Sequence, residues 1–372
     1  MVNRRFSRLQ ELMEGKGLDL VVYAPGPDFQ YLTGGDAKWR SHKDLTPTGK
    51  ALYVPRVGEP LLIQSPGEST PREWGFDVAE AEGPEASVGE ALKRFENPGV
   101  VATGRYVGSS LLLALARAVR GARFTSAGGL LDGLRMVKSG EELRRLEEVA
   151  ALTDRVMGRV VESLGEGSTM GGTEALAEYL AKLEGATHTS FPPTAGFSRP
   201  GAVGQGVFNQ DKGEGLVEGT CIAFDVGFVQ GGYCSDWGRS FFYGEPPARL
   251  EEGYRALVAA QEEAVDAICG EAQRVDQVFD VVERSLRREG YAGELLARLP
   301  HRVVGHQIGV EVHENPWLRP GGSVAFQEGM VFCLEPKLWF KGEYYLRVED
   351  MVAIKNGRAR FLTGFDRSLF KL

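Results

Sequence analysis

Five side chains in the second half of the chain, Asp225, Asp236, His306, Glu335 and Glu349, have the types and the order to hold two divalent ions. Asp225 and Asp236 lie in the segment Ala223-Phe-Asp-Val-Gly-Phe-Val-Gln-Gly-Gly-Tyr-Cys-Ser-Asp-Trp-Gly-Arg-Ser-Phe-Phe242, two apolar runs around Gly231-Gly232, which predicts a hairpin. A two-residue turn there pairs Gln230 with Tyr233 and sets Asp236 opposite Gly227, two residues along from Asp225 on the same face. The device repeats further on. Met330 to Phe340 and Tyr344 to Ile354 read as strands around Lys341-Gly-Glu343, which puts Glu335 directly opposite Glu349.

Four carboxylates converging in a folded interior repel one another and raise each other's pKa values, so the cluster needs cations to neutralise it. With one imidazole, it suits two ions about 3.5–4 Å apart that share carboxylates and a hydroxide nucleophile. Any one of these acids alone would read as a solvated group on a strand face. The five together read as a centre for metal-assisted hydrolysis.

The rest of the chain must position that centre. At 372 residues, 42% hydrophobic and 25% charged, it has the composition of a folded protein with two domains. The net charge of −8 and the lack of a long Lys/Arg cluster argue against a nucleic-acid surface. No run approaches the roughly 20 apolar residues of a membrane span. The first 16 residues have helical spacing at Phe6, Leu9, Leu12 and Met13 rather than a signal-peptide core, so a cytoplasmic location is expected. Cys221, Cys234, Cys269 and Cys333 form no close pair and are expected to be free thiols, mostly buried.

Residues 1–132 alternate helix and strand patterns: a helix near 4–15, strands at 19–24, 51–54 and 61–64, a helix at 88–95 and a strand at 99–102. The spacing predicts a mixed or parallel α/β layer. Residues 133–372 open with Ser139 as an N-cap and Glu142 three residues later, a capping box for a long helix. A helix at 173–184, a long loop at 187–218, the first hairpin, helices at 249–270 and 275–289, and a mostly β remainder follow. Two acid-bearing hairpins separated by helices hint at a duplicated α/β half.

Across nearly its full length the chain resembles the pita-bread metallopeptidases, in the Xaa-Pro peptidase branch of prolidases and aminopeptidases P. The resemblance rests on Leu134-Arg-Met-Val-Lys-Ser-Gly-Glu-Glu142, Phe224-Asp-Val-Gly227, Tyr233-Cys-Ser-Asp-Trp-Gly-Arg-Ser-Phe241, Gly305-His-Gln-Ile-Gly-Val-Glu-Val-His-Glu314, Leu334-Glu-Pro336 and Arg347-Val-Glu-Asp350. Tyr31-Leu-Thr-Gly-Gly35 is similar to a creatinase-type N-terminal domain. The implied fold is α/β, a creatinase-like domain over 1–132 followed by a pita-bread catalytic domain over 133–372.

The resemblance implies that Asp225 chelates one metal, that Asp236 and Glu349 bridge two, and that His306 and Glu335 complete the other site. Glu335 is also the implied proton shuttle, and His313 the histidine that contacts substrate. Implied cofactors are two divalent ions, Mn or Co, with Zn also compatible with the donors. The implied activity is hydrolysis of Xaa-Pro bonds in dipeptides or short proline-containing peptides by a homodimer. Candidate groups for the peptide termini are Asp36 and Arg40 in Gly34-Gly-Asp-Ala-Lys-Trp-Arg-Ser-His42, together with Arg319 and Arg347.

Two departures stand out. The family's further active-site histidine is missing, since none of the five histidines lies between residues 189 and 300 and the region 203–205 reads Val-Gly-Gln. Gln307 stands where the family has a glycine after the metal histidine, and is expected to narrow the cavity. Competing expectations are relaxed dipeptidase or aminopeptidase specificity, a catalytically silent pita-bread binding protein, and metal-free creatinase-like hydrolysis. The intact acid cluster disfavours the last two.

Overall fold

A computed structural model describes residues 2–35, 39–41, 49–68, 76–95, 97–201, 211–296, 302–368 and 370–372. The chain divides into two compact units, Met1–Arg135 and Met136–Leu372.

The first unit contains α1 (Val2–Lys16), β1 (Leu20–Tyr23), α2 (Pro27–Thr33), β2 (Ala51–Pro55), β3 (Leu61–Gln64), β4 (Asp77–Glu80), α3 (Pro84–Leu92), β5 (Val100–Thr103), α4 (Ser109–Ala118) and β6 (Arg123–Ser126). Its described strands form one mixed sheet in the order β4-β3-β2-β1-β5-β6. Alternate residues serve opposite faces. Val21, Tyr23, Leu52 and Val54 pack with Phe6, Leu9, Met13 and Phe29, while Leu20, Val22, Ala51 and Tyr53 pack with Val88, Ala91, Leu111 and Leu115. Both faces being covered explains why the central strands read as continuous apolar runs. The outer strands β4 and β6 are mostly polar or exposed, and α2 and α4 also escaped the sequence reading.

A short helix, α5 (Asp132–Met136), leads into α6 (Gly140–Glu162). The capping box forms as expected: the Glu142 amide donates to Ser139 Oγ at 3.3 Å, and the Ser139 amide donates to the Glu142 carboxylate at 3.0 Å, an arrangement worth about 1 kcal/mol. Next come α7 (Met170–Leu183), β7 (His188–Thr189), β8 (Thr194–Ser198), β9 (Thr220–Val226), β10 (Phe228–Gln230), β11 (Tyr233–Cys234) and β12 (Trp237–Tyr243). The segment expected as a loop over 187–218 therefore contains two strands, and β8 pairs with β9 so that Thr194 faces Asp225.

The second half continues with α8 (Ala248–Ala267), α9 (Val278–Arg288), β13 (Gly305–Gln307), β14 (Glu314–Leu318), β15 (Val331–Leu334), β16 (Lys337–Phe340), β17 (Tyr344–Arg347), β18 (Asp350–Lys355) and β19 (Arg358–Phe361). One apolar core joins α6 and α7 to β8, β9 and β12 through Val156, Val160, Leu180, Phe197, Phe224 and Phe241. Another joins α8 and α9 to β15 and β18 through Leu257, Val282, Leu286, Phe332, Val352 and Ile354. The first acid-bearing hairpin thus rests mainly on α6 and α7 and the second on α8 and α9, with Cys221 and Phe242 of the first reaching into the second core. No helix among the described residues is long and apolar enough to cross a membrane.

Candidate metal centre

Both hairpins keep the expected register but break at the acids. Gln230 pairs with Tyr233 and Trp237 with Val226, so the alignment places Asp236 at the level of Gly227. Gly227 is needed there, because a Cβ would sit 2.2 Å from the Ser235 carbonyl oxygen. In the second hairpin, Lys337 pairs with Arg347 and Leu334 with Asp350, which brackets Glu335 and Glu349 at one level. The two long strands expected over 330–340 and 344–354 are instead four short ones. Pro336 has no N–H to give to a ladder, and Glu349 pairs elsewhere: its amide donates to the Gly238 carbonyl at 2.8 Å, and the Gly238 amide donates back at 3.2 Å.

That exchange joins the hairpins, since Gly238 is also the ladder partner of Asp225. Arg239 locks the junction. It donates to the Gly238 and Glu349 carbonyls, each at 2.7 Å, and to Asp350 Oδ1 at 2.6 Å. Gly238 leaves space for Arg347, whose side chain would meet a Cβ at 2.7 Å.

On the face so assembled, donor atoms of Asp236, His306, Cys333 and Glu349 all lie within 4.8 Å of one another, all buried. His306 Nε2 is 3.4 Å from Asp236 Oδ2 and 3.8 Å from Glu335 Oε1. Its Nδ1 lies 3.0 Å from the Gln307 carbonyl. With Nδ1–H donating there, the Nε2 lone pair faces the acids, the orientation a metal-binding imidazole requires. Asp236 Oδ1 and Glu349 Oε1 are buried without a hydrogen-bond partner. Such oxygens are costly to bury unless something cationic satisfies them, so this donor set fits divalent ions. Asp225 is the most open of the acids, with a side chain 21% exposed.

Burial pushes Asp236 up from the usual carboxylate range, helped by Asp225, and pushes Glu349 far up despite Arg347. Burial would raise Glu335 too, but Lys337, Arg347 and His306 outweigh it and bring it to about 2. Burial lowers His306, yet its contacts with Asp236 and Glu335 leave it raised overall. His313 is exposed, yet partial loss of hydration and the neighbouring His306 draw it down to about 4. Its ring lies 4.4 Å from His306 and stacks on Trp317 at 5.3 Å.

Arg347 stands among the acids. It pairs with Asp225, with Glu335 at 2.9 Å and with Glu349 at 2.5 Å. Lys337, absent from the sequence reading, pairs with Glu335. Strand alternation from Glu335 was a signal for it. Cys333 was also missed as a neighbour of the cluster, although it is a free thiol as expected and is directly registered with His306. Burial and the nearby acids push its pKa well up, which keeps the sulfur protonated.

The expectation that Gln307 narrows the cavity fails. Gln307 follows His306 on a strand and so points to the opposite face, where Lys138 donates to its Oε1 at 3.0 Å and pairs with Glu314 at 3.2 Å. Glu314 in turn accepts from the Glu311 amide at 3.2 Å and fits against Gly309, where a Cβ would be only 2.6 Å from it. This buried group braces the turn before His313.

Of the other expected substrate residues, Arg40 belongs to the first unit, where it donates to Gln30 Oε1 at 2.8 Å and lies over Trp39. Arg319 is exposed one residue beyond β14. Asp36 and the 203–205 segment lie outside the described residues.

The model of metallopeptidase family M24 matches residues 144–356, and that of the creatinase/prolidase N-terminal domain matches residues 5–137. The chain belongs to metallopeptidase family M24. It is therefore a peptidase of a family that works with divalent metal ions, and its fold is the expected creatinase-type α/β domain followed by a pita-bread domain. Among M24 relatives, the Xaa-Pro dipeptidase of Pyrococcus furiosus is 24% identical over 99% of this chain and 100% of its own length. The probable dipeptidase PepE of Mycobacterium tuberculosis is 30% identical, over 94% of this chain and 91% of that protein. The crystal structure of a prolidase from Thermococcus sibiricus superposes with a TM-score of 0.85 at 25% identity, covering 100% of this chain and 99% of the other.

Proposed function

We propose that this chain is a dinuclear metal-dependent Xaa-Pro dipeptidase. The observation that carries the proposal is the convergence of Asp236, His306, Glu335 and Glu349, with Asp225 alongside, around carboxylate oxygens buried without a partner. In this reading Asp225, Asp236, His306, Glu335 and Glu349 would hold the ions. Mn or Co are the expected ions, and Zn fits the same donors. Bound there, such ions supply polarisation of the scissile carbonyl and a hydroxide nucleophile near neutral pH.

The chain's own groups do the rest. The Glu335 carboxylate, ionised at neutral pH, takes up the proton released as the nucleophile attacks and returns it to the leaving proline nitrogen. His313 is neutral at that pH, so it can donate one ring N–H to the developing oxyanion without adding a fixed charge. Trp317 holds the ring by stacking. Arg347 braces Asp225, Glu335 and Glu349, and Arg40, Arg319 and Asp36 remain candidates for the peptide termini. The names of the Xaa-Pro dipeptidase relatives support the substrate class. A cytoplasmic homodimer that engages neither nucleic acid nor membrane completes the reading.

The test is to strip the protein of metal, restore Mn or Co, and follow Ala-Pro, Ala-Ala and a proline-containing tripeptide by product mass. Metal-dependent cleavage of Ala-Pro is expected. Comparable cleavage of Ala-Ala or preference for the tripeptide would replace this reading with a relaxed dipeptidase or an aminopeptidase, and no turnover by metal-replete protein would overturn it.

A further inference from the structure

We propose that Lys337 binds the free C-terminal carboxylate of the substrate and thereby restricts the enzyme to dipeptides. The inference rests on the dipeptidase reading above and deepens it. Lys337 begins β16, two residues beyond Glu335 and in register with Arg347. Strand alternation therefore sets Glu335, Lys337, Arg347 and Glu349 on one face, acids inside and cations beside them.

The two cations differ in what holds them. Arg347 is shared among three carboxylates and its side chain is only 5% exposed. Among the described residues Lys337 pairs with Glu335 alone, and its side chain is 24% exposed, an ammonium at the rim of an otherwise buried cluster. Both cations use the same atom, Glu335 Oε2. Among the described residues Lys337 has this one carboxylate to pair with, whereas Arg347 is spread over three and so is the less free of the two to turn towards a ligand.

The charge balance points the same way. With all four carboxylates ionised, as metal binding requires, and both histidines neutral, Arg347 and Lys337 leave two net negative charges. Two divalent ions more than reverse this, and even with a hydroxide the loaded site carries one surplus positive charge. A substrate carboxylate offsets positive charge where it binds, whereas the amide that a longer peptide, with the same free amine, places there does not. A lysine on a flexible stem at the rim is suited to meet the end of a short ligand as a point charge.

The test uses the full-length, metal-loaded protein and Lys337→Met. Metal content by elemental mass spectrometry should be unchanged. KM for Ala-Pro should rise by about 10- to 100-fold, the loss expected for one charge-assisted hydrogen bond. KM for Ala-prolinamide should change by less than about 3-fold, and Lys337→Arg should recover part of the Ala-Pro loss. Calorimetry should show L-proline binding weakened in Lys337→Met and prolinamide binding unaltered. Equal losses on acid and amide, an unchanged KM for Ala-Pro, or loss of bound metal would overturn the proposal. Should the unaltered protein cleave no dipeptide, the dipeptidase reading falls, and L-proline binding that depends on Lys337 still decides the role of this residue.

Discussion

Asp225 and Asp236 stand on a hairpin face without a lysine or arginine of its own, whereas Glu335 and Glu349 share theirs with Lys337 and Arg347. The consequence shows in the acids themselves. Glu335 is held near 2 by those cations, while Asp236, buried beside His306, is pushed up. The second hairpin is partly neutralised from within, whereas in the first Arg347 reaches across to Asp225 and Asp236 Oδ1 is left without a partner. Glu349 belongs to both worlds, touched by Arg347 yet retaining an unpartnered oxygen.

The strongest way to break this comparison is to remove one acid from each side. Asp236→Ala and Glu349→Ala should each cut activity by far more than the roughly 100-fold typical of losing a group beyond the metal's own ligands, with lower metal content by elemental analysis. A metal-replete, active variant of either kind would remove that residue from the centre. Arg347→Met probes the internal neutralisation. Without metal it should destabilise the protein by about 3–5 kcal/mol in urea unfolding, because it leaves buried charges unpaired. Added Mn should recover much of that loss. An equal loss with and without metal would mean that Arg347 is only a structural brace.

The smallest effect concerns pH. Asp236, Glu349 and His306 all have folded-state pKa values above their ordinary ones. Each therefore binds its proton more tightly in the folded, metal-free protein, and the stability this provides is lost as pH rises through the raised value. Metal must displace those protons, so its stabilisation should grow as pH rises from 5 to 8. At about 100-fold saturation metal adds about 2.7 kcal/mol, or roughly 5–10 °C in melting temperature. A melting shift independent of pH would contradict the raised values.

Register was the most legible part of the fold. The Gly231-Gly232 turn and period-2 alternation fix which residues oppose one another, and those pairings are present. The strand interruptions were not legible, because they arise from pairing between Gly238 and Glu349, 111 residues apart in sequence. Strand β8 hid among Pro, Thr and Gly because its pairing with β9, not its own composition, makes it a strand. The direction of Gln307 followed from alternation, but its partner Lys138 lies 169 residues away and carried no local mark. Lys337 could have been found from its spacing to Glu335. Its significance emerges only beside Arg347, where one cation is fully engaged and the other is not.

The paired amides of Gly238 and Glu349, gripped by Arg239, do more than align carboxylates. Each acid pair is anchored in a different apolar core, one built on α6 and α7 and the other on α8 and α9. Neither half carries a complete donor set. Metal occupancy is therefore a gauge of long-range integrity: a lesion deep in either helical pair, far from any ligand, is read out as a lost ion.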